Sequence, residues 1–130
     1  MFYVFNHPVT TGNVEATPAK IPMKLTEGVI HQVDVLFQDG CDHEVHVKIF
    51  QGAHQLWPTN RDKAMKGNAT VVSFREFHKL IGDNTELRAL VWGDGTVTGV
   101  EVIIQIGVLP QGVIQPLSFE ELLRAAAGTV

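Results

Sequence analysis

Apolar and polar residues alternate with a period of two along much of the chain. Residues 29–37 and 44–50 place most of their apolar side chains at odd positions. In residues 100–108 every even position is a branched apolar residue: Val100, Val102, Ile104, Ile106 and Val108. Successive side chains of a strand point to opposite faces, so each stretch is predicted to be a strand with one face on a core. The 100–108 segment is predicted to be a central strand with its even positions inward.

Glycine and proline divide these segments. Glycine-containing stretches at 38–42, 52–53 and 93–96 predict hairpins, because glycine accepts the positive φ of tight turns. Residues 70–77 and 87–92 are predicted to be further strands, and residues 2–5 and 23–26 edge strands. All six prolines are expected outside strand centres, since proline cannot donate a ladder hydrogen bond. The pattern predicts one all-β domain over residues 1–108, an antiparallel β-sandwich or small jelly roll.

Residues 109–130 depart from the alternation and are predicted to form a linker and a short C-terminal helix. Ser118 and Glu121 have the spacing of a capping box. Four apolar residues then share one helical face: Phe119, Leu122, Leu123 and Ala126. Helices shorter than about 12–15 residues are unstable alone in water, so this face must pack on its own sandwich or on a neighbour. We predict that it contacts another chain.

The composition is that of one soluble domain. The chain has 130 residues, of which 45% are hydrophobic, so it can fold without metal or disulfide staples. Its single cysteine, Cys41, excludes an intramolecular disulfide. The first residues lack the pattern of a signal peptide, and no apolar run approaches the ~20 residues that span a bilayer. No membrane partner is expected, and a cytoplasmic, soluble location is predicted unless the chain belongs to a larger particle.

The formal net charge is −4, from 10 basic and 14 acidic residues. A negatively charged chain is poorly suited to neutralising phosphates, so no nucleic-acid partner is expected. Residues 1–40 carry −2, residues 41–79 carry +2 and residues 80–130 carry −4. An acidic region of one copy facing a basic region of another is one interpretation. A mixed, solvated surface, whose exposed pairs contribute little, is the other.

Candidate chemistry is sparse. The string C-D-H-E-V-H at 41–46 contains zinc-ligand types, but His43 and His46 differ by three positions and point to opposite faces of a strand. A metal-dependent, cupin-like enzyme would need both to converge with His31, whose parity with Val33 predicts the core side of its strand. Neither a nucleophile-elbow serine nor a phosphate-binding glycine loop occurs. We predict no catalytic residue, no metal site and no other cofactor.

Two tryptophans suggest a different ligand class. Exposed aromatic rings on a β-sandwich stack on sugar rings, so Trp57 and Trp92 are the candidate ligand-binding residues of a carbohydrate-binding module. Such a module would need one of them exposed beside polar side chains. Packing in the core or at a corner is the usual fate of large aromatic residues and is the competing interpretation. Residues 54–58 are then a short strand turned by Pro58, with Trp57 anchoring that corner.

One string supplies a resemblance. The sequence G-A-H-Q-L-W-P at 52–58 follows a valine-rich segment with a Gly-Cys turn and precedes Asn60 and Asp62. Over residues 28–108 the chain resembles small β-sandwich proteins of tailed phages. The resemblance implies a structural virion component, such as a head decoration or accessory protein, located in the virion. Its implied partners are further copies of itself, a major capsid-type protein, or both.

Overall fold

The computed structural model describes residues 1–110, and these residues form an all-β fold. The nine strands are β1 (Phe2–Val9), β2 (Ala19–Lys24), β3 (Gly28–Phe37), β4 (His46–Gln51), β5 (His54–Trp57), β6 (Met65–Lys66), β7 (Thr70–Leu80), β8 (Glu86–Trp92) and β9 (Val100–Leu109). Strand β9 ends one residue beyond the predicted end of the sandwich domain. This part of the chain has no helix of the length and apolarity needed to cross a membrane.

The strands form two antiparallel sheets that pack around one hydrophobic core. The four-stranded sheet has the order β1-β9-β3-β7. The five-stranded sheet has the order β2-β8-β4-β5, and β6 also pairs with β4. Residues from both sheets belong to one buried cluster. The predicted antiparallel β-sandwich is therefore confirmed.

Strand β9 occupies the position that its alternation predicts. It lies between β1 and β3, and the register places Ile104 between Phe5 and Val35. The even positions from Val100 to Val108 are at most 8% exposed. A strand paired on both sides, with one face of branched side chains on the core, is the central strand that the sequence predicts.

One of the three predicted hairpins is present. Gln51 pairs with His54 across Gly52, whose φ is 59°, and Ala53. The segments 38–42 and 93–96 instead carry the chain from one sheet to the other, because β3 and β9 belong to the four-stranded sheet and β4 and β8 to the five-stranded sheet. Those two hairpin predictions are wrong. A turn sequence marks where a strand ends but does not determine which sheet the next strand joins.

A bulge in β3 changes the face on which His31 lies. The register shifts between Ile30 and Gln32, so Ile30, which is fully buried, takes the inward position that strict alternation gives to His31. The His31 ring lies against Gly107, where an added Cβ would approach Nε2 to 2.8 Å. The prediction that His31 shares the core side of Val33 is therefore wrong.

Two prolines lie within strands. Pro8 is near the end of β1, and Pro22 is in the middle of β2. The expectation that every proline lies outside strand centres is wrong for Pro22. Both strands are at the edges of their sheets, and an edge strand can direct a proline nitrogen away from its partner without losing a ladder bond.

Candidate interaction surfaces

The three histidines of the enzyme hypothesis lie in separate places. His31 is on the outer face of the four-stranded sheet, and His43 is in the loop between β3 and β4 with a φ of 59°. His46 begins β4 and faces outward from the five-stranded sheet, beside Trp92. Among residues 1–110, no group of three or more His, Cys, Asp or Glu side chains is placed to hold a metal ion. His31, His43 and His46 therefore do not converge on a cupin-like centre.

Cys41 is a core residue of the turn that follows β3. Its side chain is fully buried, and burial raises the pKa of the thiol above its ordinary value. Its backbone N–H donates to the Gln38 carbonyl at 3.2 Å, and its carbonyl accepts from the Glu44 N–H at 2.8 Å. A buried, protonated thiol is a poor nucleophile, so the residue contributes packing rather than reactivity.

The 52–58 string builds a corner of the sandwich. Trp57 is only 5% exposed and packs edge-on against Phe74 and His78, with ring centres 5.6 and 6.0 Å apart. The Gln55 side chain is also buried, and its Nε2 lies within hydrogen-bond distance of three carbonyl oxygens, those of Pro58 (2.7 Å), Asn60 (3.3 Å) and Lys63 (3.3 Å). The string therefore fixes the loop after β5. The expectation that Trp57 anchors this corner is confirmed.

Trp92 is covered by its neighbours on the five-stranded sheet. It is 8% exposed, its ring stacks on His46 with centres 5.4 Å apart, and Nζ of Lys48 lies 5.8 Å from the ring centre. The carbohydrate hypothesis needs an exposed Trp57 or Trp92. Because both are buried, neither forms a platform on which a sugar ring can stack.

The outer face of the five-stranded sheet is strongly basic. The register places Lys20 and Lys48 on either side of Leu90, and Arg88 between Pro22 and Phe50. Residues 1–110 contain nine lysines and arginines. Seven of them lie on this face or in the β5–β6 loop that borders it: Lys20, Lys24, Lys48, Arg61, Lys63, Lys66 and Arg88. We call these seven residues the basic face.

A cleft of about 260 Å³ lies at one end of the basic face. Its lining includes two carboxylates, Glu15 and Asp62, and five other side chains, His46, Lys48, Lys63, Lys66 and Trp92. Nδ1 of His46 is buried without a hydrogen-bond partner among the described residues. Lys48 donates to the Arg61 carbonyl at 3.2 Å and Arg88 to the Gly52 carbonyl at 3.5 Å. These two cations are held by backbone oxygens, which do not neutralise their charge.

The loops 38–45 and 93–99 lie together at one end of the sandwich. Loop 38–45 follows β3 and loop 93–99 precedes β9, and these two strand ends are adjacent because Phe37 pairs with Val102. The two loops contain no lysine or arginine. They contain four exposed acidic residues: Asp39, Asp42, Glu44 and Asp94. We call these four residues the acidic end.

Hydrogen bonds fix the backbone of the acidic end. Oδ1 of Asn68 accepts from the backbone N–H groups of Gly40 at 2.9 Å and Asp42 at 3.1 Å. Asp94 accepts from the backbone N–H of Thr96 at 2.9 Å and from its hydroxyl at 2.7 Å. These bonds to Thr96 lower the pKa of Asp94, so it stays negatively charged well below neutral pH.

The outer face of the four-stranded sheet carries apolar side chains. Leu36 of β3 lies beside Ile103 of β9 and Val71 of β7, and these three residues line a groove of about 310 Å³. Four large apolar side chains are exposed on the edge strands: Phe2 (61%), Val4 (55%), Val71 (51%) and Phe77 (60%). We call these four residues, with Leu36 and Ile103, the apolar face.

Sequence reasoning missed the basic face. Alternation within 20–24, 46–50 and 86–92 assigns its strand residues to outward positions, but only the sheet order brings them together. The residues predicted to bind a partner, Phe119, Leu122, Leu123 and Ala126, lie outside the described residues. No known protein-family model and no curated protein sequence matches the chain.

Proposed function

We propose that the protein is a structural accessory component of a virion, which associates with copies of itself or with a capsid-type protein. The observation that carries this proposal is the apolar face. Exposed apolar clusters on a folded domain are typical of protein–protein contacts. The resemblance of residues 28–108 to phage β-sandwich proteins supports the virion assignment, and the buried tryptophans and separated histidines give the two alternatives no site.

The apolar face includes side chains from every strand of the sheet, and Leu36, Val71 and Ile103 adjoin across three of them. All four strands of the sheet contribute to it: β1 through Phe2 and Val4, β3 through Leu36, β9 through Ile103, and β7 through Val71 and Phe77. Full burial of one such side chain contributes roughly 1.5–3 kcal/mol. Association costs an estimated 4–15 kcal/mol, so several of these residues must be buried together.

The groove formed by Leu36, Val71 and Ile103 is the place to test this proposal. A Val71→Asp substitution puts a charge at its rim without touching the core, because Val71 is already 51% exposed. Ile81→Asp is the matched control, since Ile81 is 59% exposed and lies beyond the end of β7, away from the groove. Both variants should fold, as circular dichroism and thermal melting would show.

Light scattering and sedimentation of the full chain measure the outcome. We expect the wild type to associate, Val71→Asp to weaken association, and Ile81→Asp to leave it unchanged. A wild type that stays monomeric at about 100 µM would argue against self-association stronger than about −5.5 kcal/mol. Equal weakening by both variants would show that the groove is not the contact.

A further inference from the structure

We infer that the acidic end of one copy docks on the basic face of a second copy. The inference deepens the proposed function, because it rests on self-association and names the surfaces that meet. The surfaces that meet are the outer face of the five-stranded sheet and the acidic end, whereas the contact in the proposed function lies on the four-stranded sheet. Different variants therefore test the two contacts.

The basic face has more positively charged residues than carboxylates. Seven basic residues share it with three carboxylates, Glu15, Asp62 and Glu86. The protein as a whole has a net charge of −4, so this face is a local excess of positive charge on an acidic molecule. Such a segregated surface attracts a complementary partner and sets its orientation.

The acidic end is the complement that the same chain supplies. It presents four exposed carboxylates on loops whose backbone is held by Asn68 and by the Asp94–Thr96 turn. A loop that is already ordered loses little conformational entropy on binding. Every copy carries one acidic end and one basic face, so the two surfaces are present in equal numbers.

The covered aromatic rings argue against a nucleic acid or sugar as the occupant. Ligands of those classes stack on open aromatic faces. Here the Trp92 ring is stacked by His46 and approached by Lys48, and Arg88 lies 5.5 Å from the centre of the Phe50 ring. The face offers cations without an open stacking platform, which suits carboxylates on a protein surface.

The contact joins two different surfaces, so it has a direction. A head-to-tail contact of this kind forms closed rings or open chains, depending on the rotation between neighbours. Its strength must also depend on salt. The screening length falls from about 10 Å at 0.1 M to about 3 Å at 1 M ionic strength.

Charge reversal with rescue tests the inference in the full chain. Lys63→Glu with Lys66→Glu reverses two exposed cations of the cleft. Lys63→Arg with Lys66→Arg is the matched control, because it changes the same two side chains and keeps their positive charge. Sedimentation at low salt should show association at least about tenfold weaker for the first variant, whereas the control should stay within about twofold of the wild type.

The reverse change at the acidic end completes the test. Asp39→Lys with Glu44→Lys should weaken self-association as the cleft variant does, and an equimolar mixture of the two variants should restore it. Failure of the mixture to assemble overturns the inference, as does a control that weakens equally or a wild type that is monomeric at low salt. Association that responds to Val71→Asp but not to charge reversal overturns this inference alone and leaves the proposed function standing.

Discussion

Ile103 and Ile104 give the sharpest test of the fold, because adjacent identical residues face opposite sides of β9. Ile104 is 1% exposed and belongs to the core cluster. Ile103 is half-buried on the outer face and lines the groove. The same truncation to alanine therefore removes a packed core side chain at one position and a surface side chain at the next.

The expected costs differ severalfold. Ile104→Ala loses buried methyl groups and leaves a cavity, which costs about 2–5 kcal/mol. Ile103→Ala creates no closed cavity and should cost about 1 kcal/mol or less. At 0.05–0.15 kcal/mol per residue, a domain of roughly this size is stable by about 5–15 kcal/mol. The core substitution should therefore remove a large part of the stability and lower Tm by about 8–20 °C.

Urea denaturation followed by tryptophan fluorescence measures both variants. Trp57 and Trp92 are buried, so unfolding moves both indoles into water. Equal destabilisation by the two variants, or a shift below about 1 kcal/mol for Ile104→Ala, would refute the register of β9. Ile104→Asp goes further, since an unpaired buried charge should unfold the domain. A soluble, native-like Ile104→Asp variant would contradict the same assignment.

His78, the zinc content and the C-terminal segment each give one further prediction. Burial lowers the pKa of His78, outweighing the opposing effect of Glu76, so the folded state binds fewer protons and stability should fall as the pH drops below about 6.5. His78→Gln should flatten that slope in acid-titrated melts, and an unchanged slope would contradict it. Protein purified without a His tag should contain far less than one zinc per chain by elemental analysis, and stoichiometric zinc would contradict this. Replacing Phe119, Leu122 and Leu123 of the C-terminal segment by serine should leave the Tm of the sandwich unchanged but weaken association in sedimentation. A lower Tm would instead indicate that the segment packs on the core of its own domain.

Alternation predicted the faces of strands well but not their assignment to sheets. In β9 every inward position was identified, because burial of one face imposes the period of two. The loops 38–42 and 93–96 contain the same kind of glycine turn as 52–53, yet only 52–53 connects neighbouring strands of one sheet. The choice between a hairpin and a crossing depends on long-range packing of the two sheets, which turn chemistry does not encode.

His31 shows how one inserted residue defeats a regular pattern. Its parity with Val33 places it in the core, but the bulge in β3 shifts the inward position to Ile30. The His31 ring then occupies the outer face above Gly107, which has no side chain to obstruct it. The matching glycine is 76 positions away in the sequence, so only the pairing of β3 with β9 relates the two.

The basic face could not be predicted from the sequence for a similar reason. The net charges of residues 1–40, 41–79 and 80–130 are −2, +2 and −4. The basic face does not coincide with any of these intervals, because it is assembled from β2, β4, β6 and β8. The sheet order places β8 between β2 and β4. Lys20 and Lys48, which are 28 positions apart, thereby lie two strands apart on one surface. Charge segregation of this kind follows from topology and is invisible to a local count.

The 52–58 string, which carries the resemblance, also positions part of the basic face. Gln55 is buried and lies within hydrogen-bond distance of carbonyl oxygens on both sides of Arg61, so it fixes the path of the β5–β6 loop. Arg61 and Lys63 line the two clefts at the border of the basic face. A sequence signal that specifies a corner therefore also specifies where two of the seven cations lie. Loss of the Gln55 amide should disturb the basic face before it disturbs the core, since the core contact at this corner belongs to Trp57.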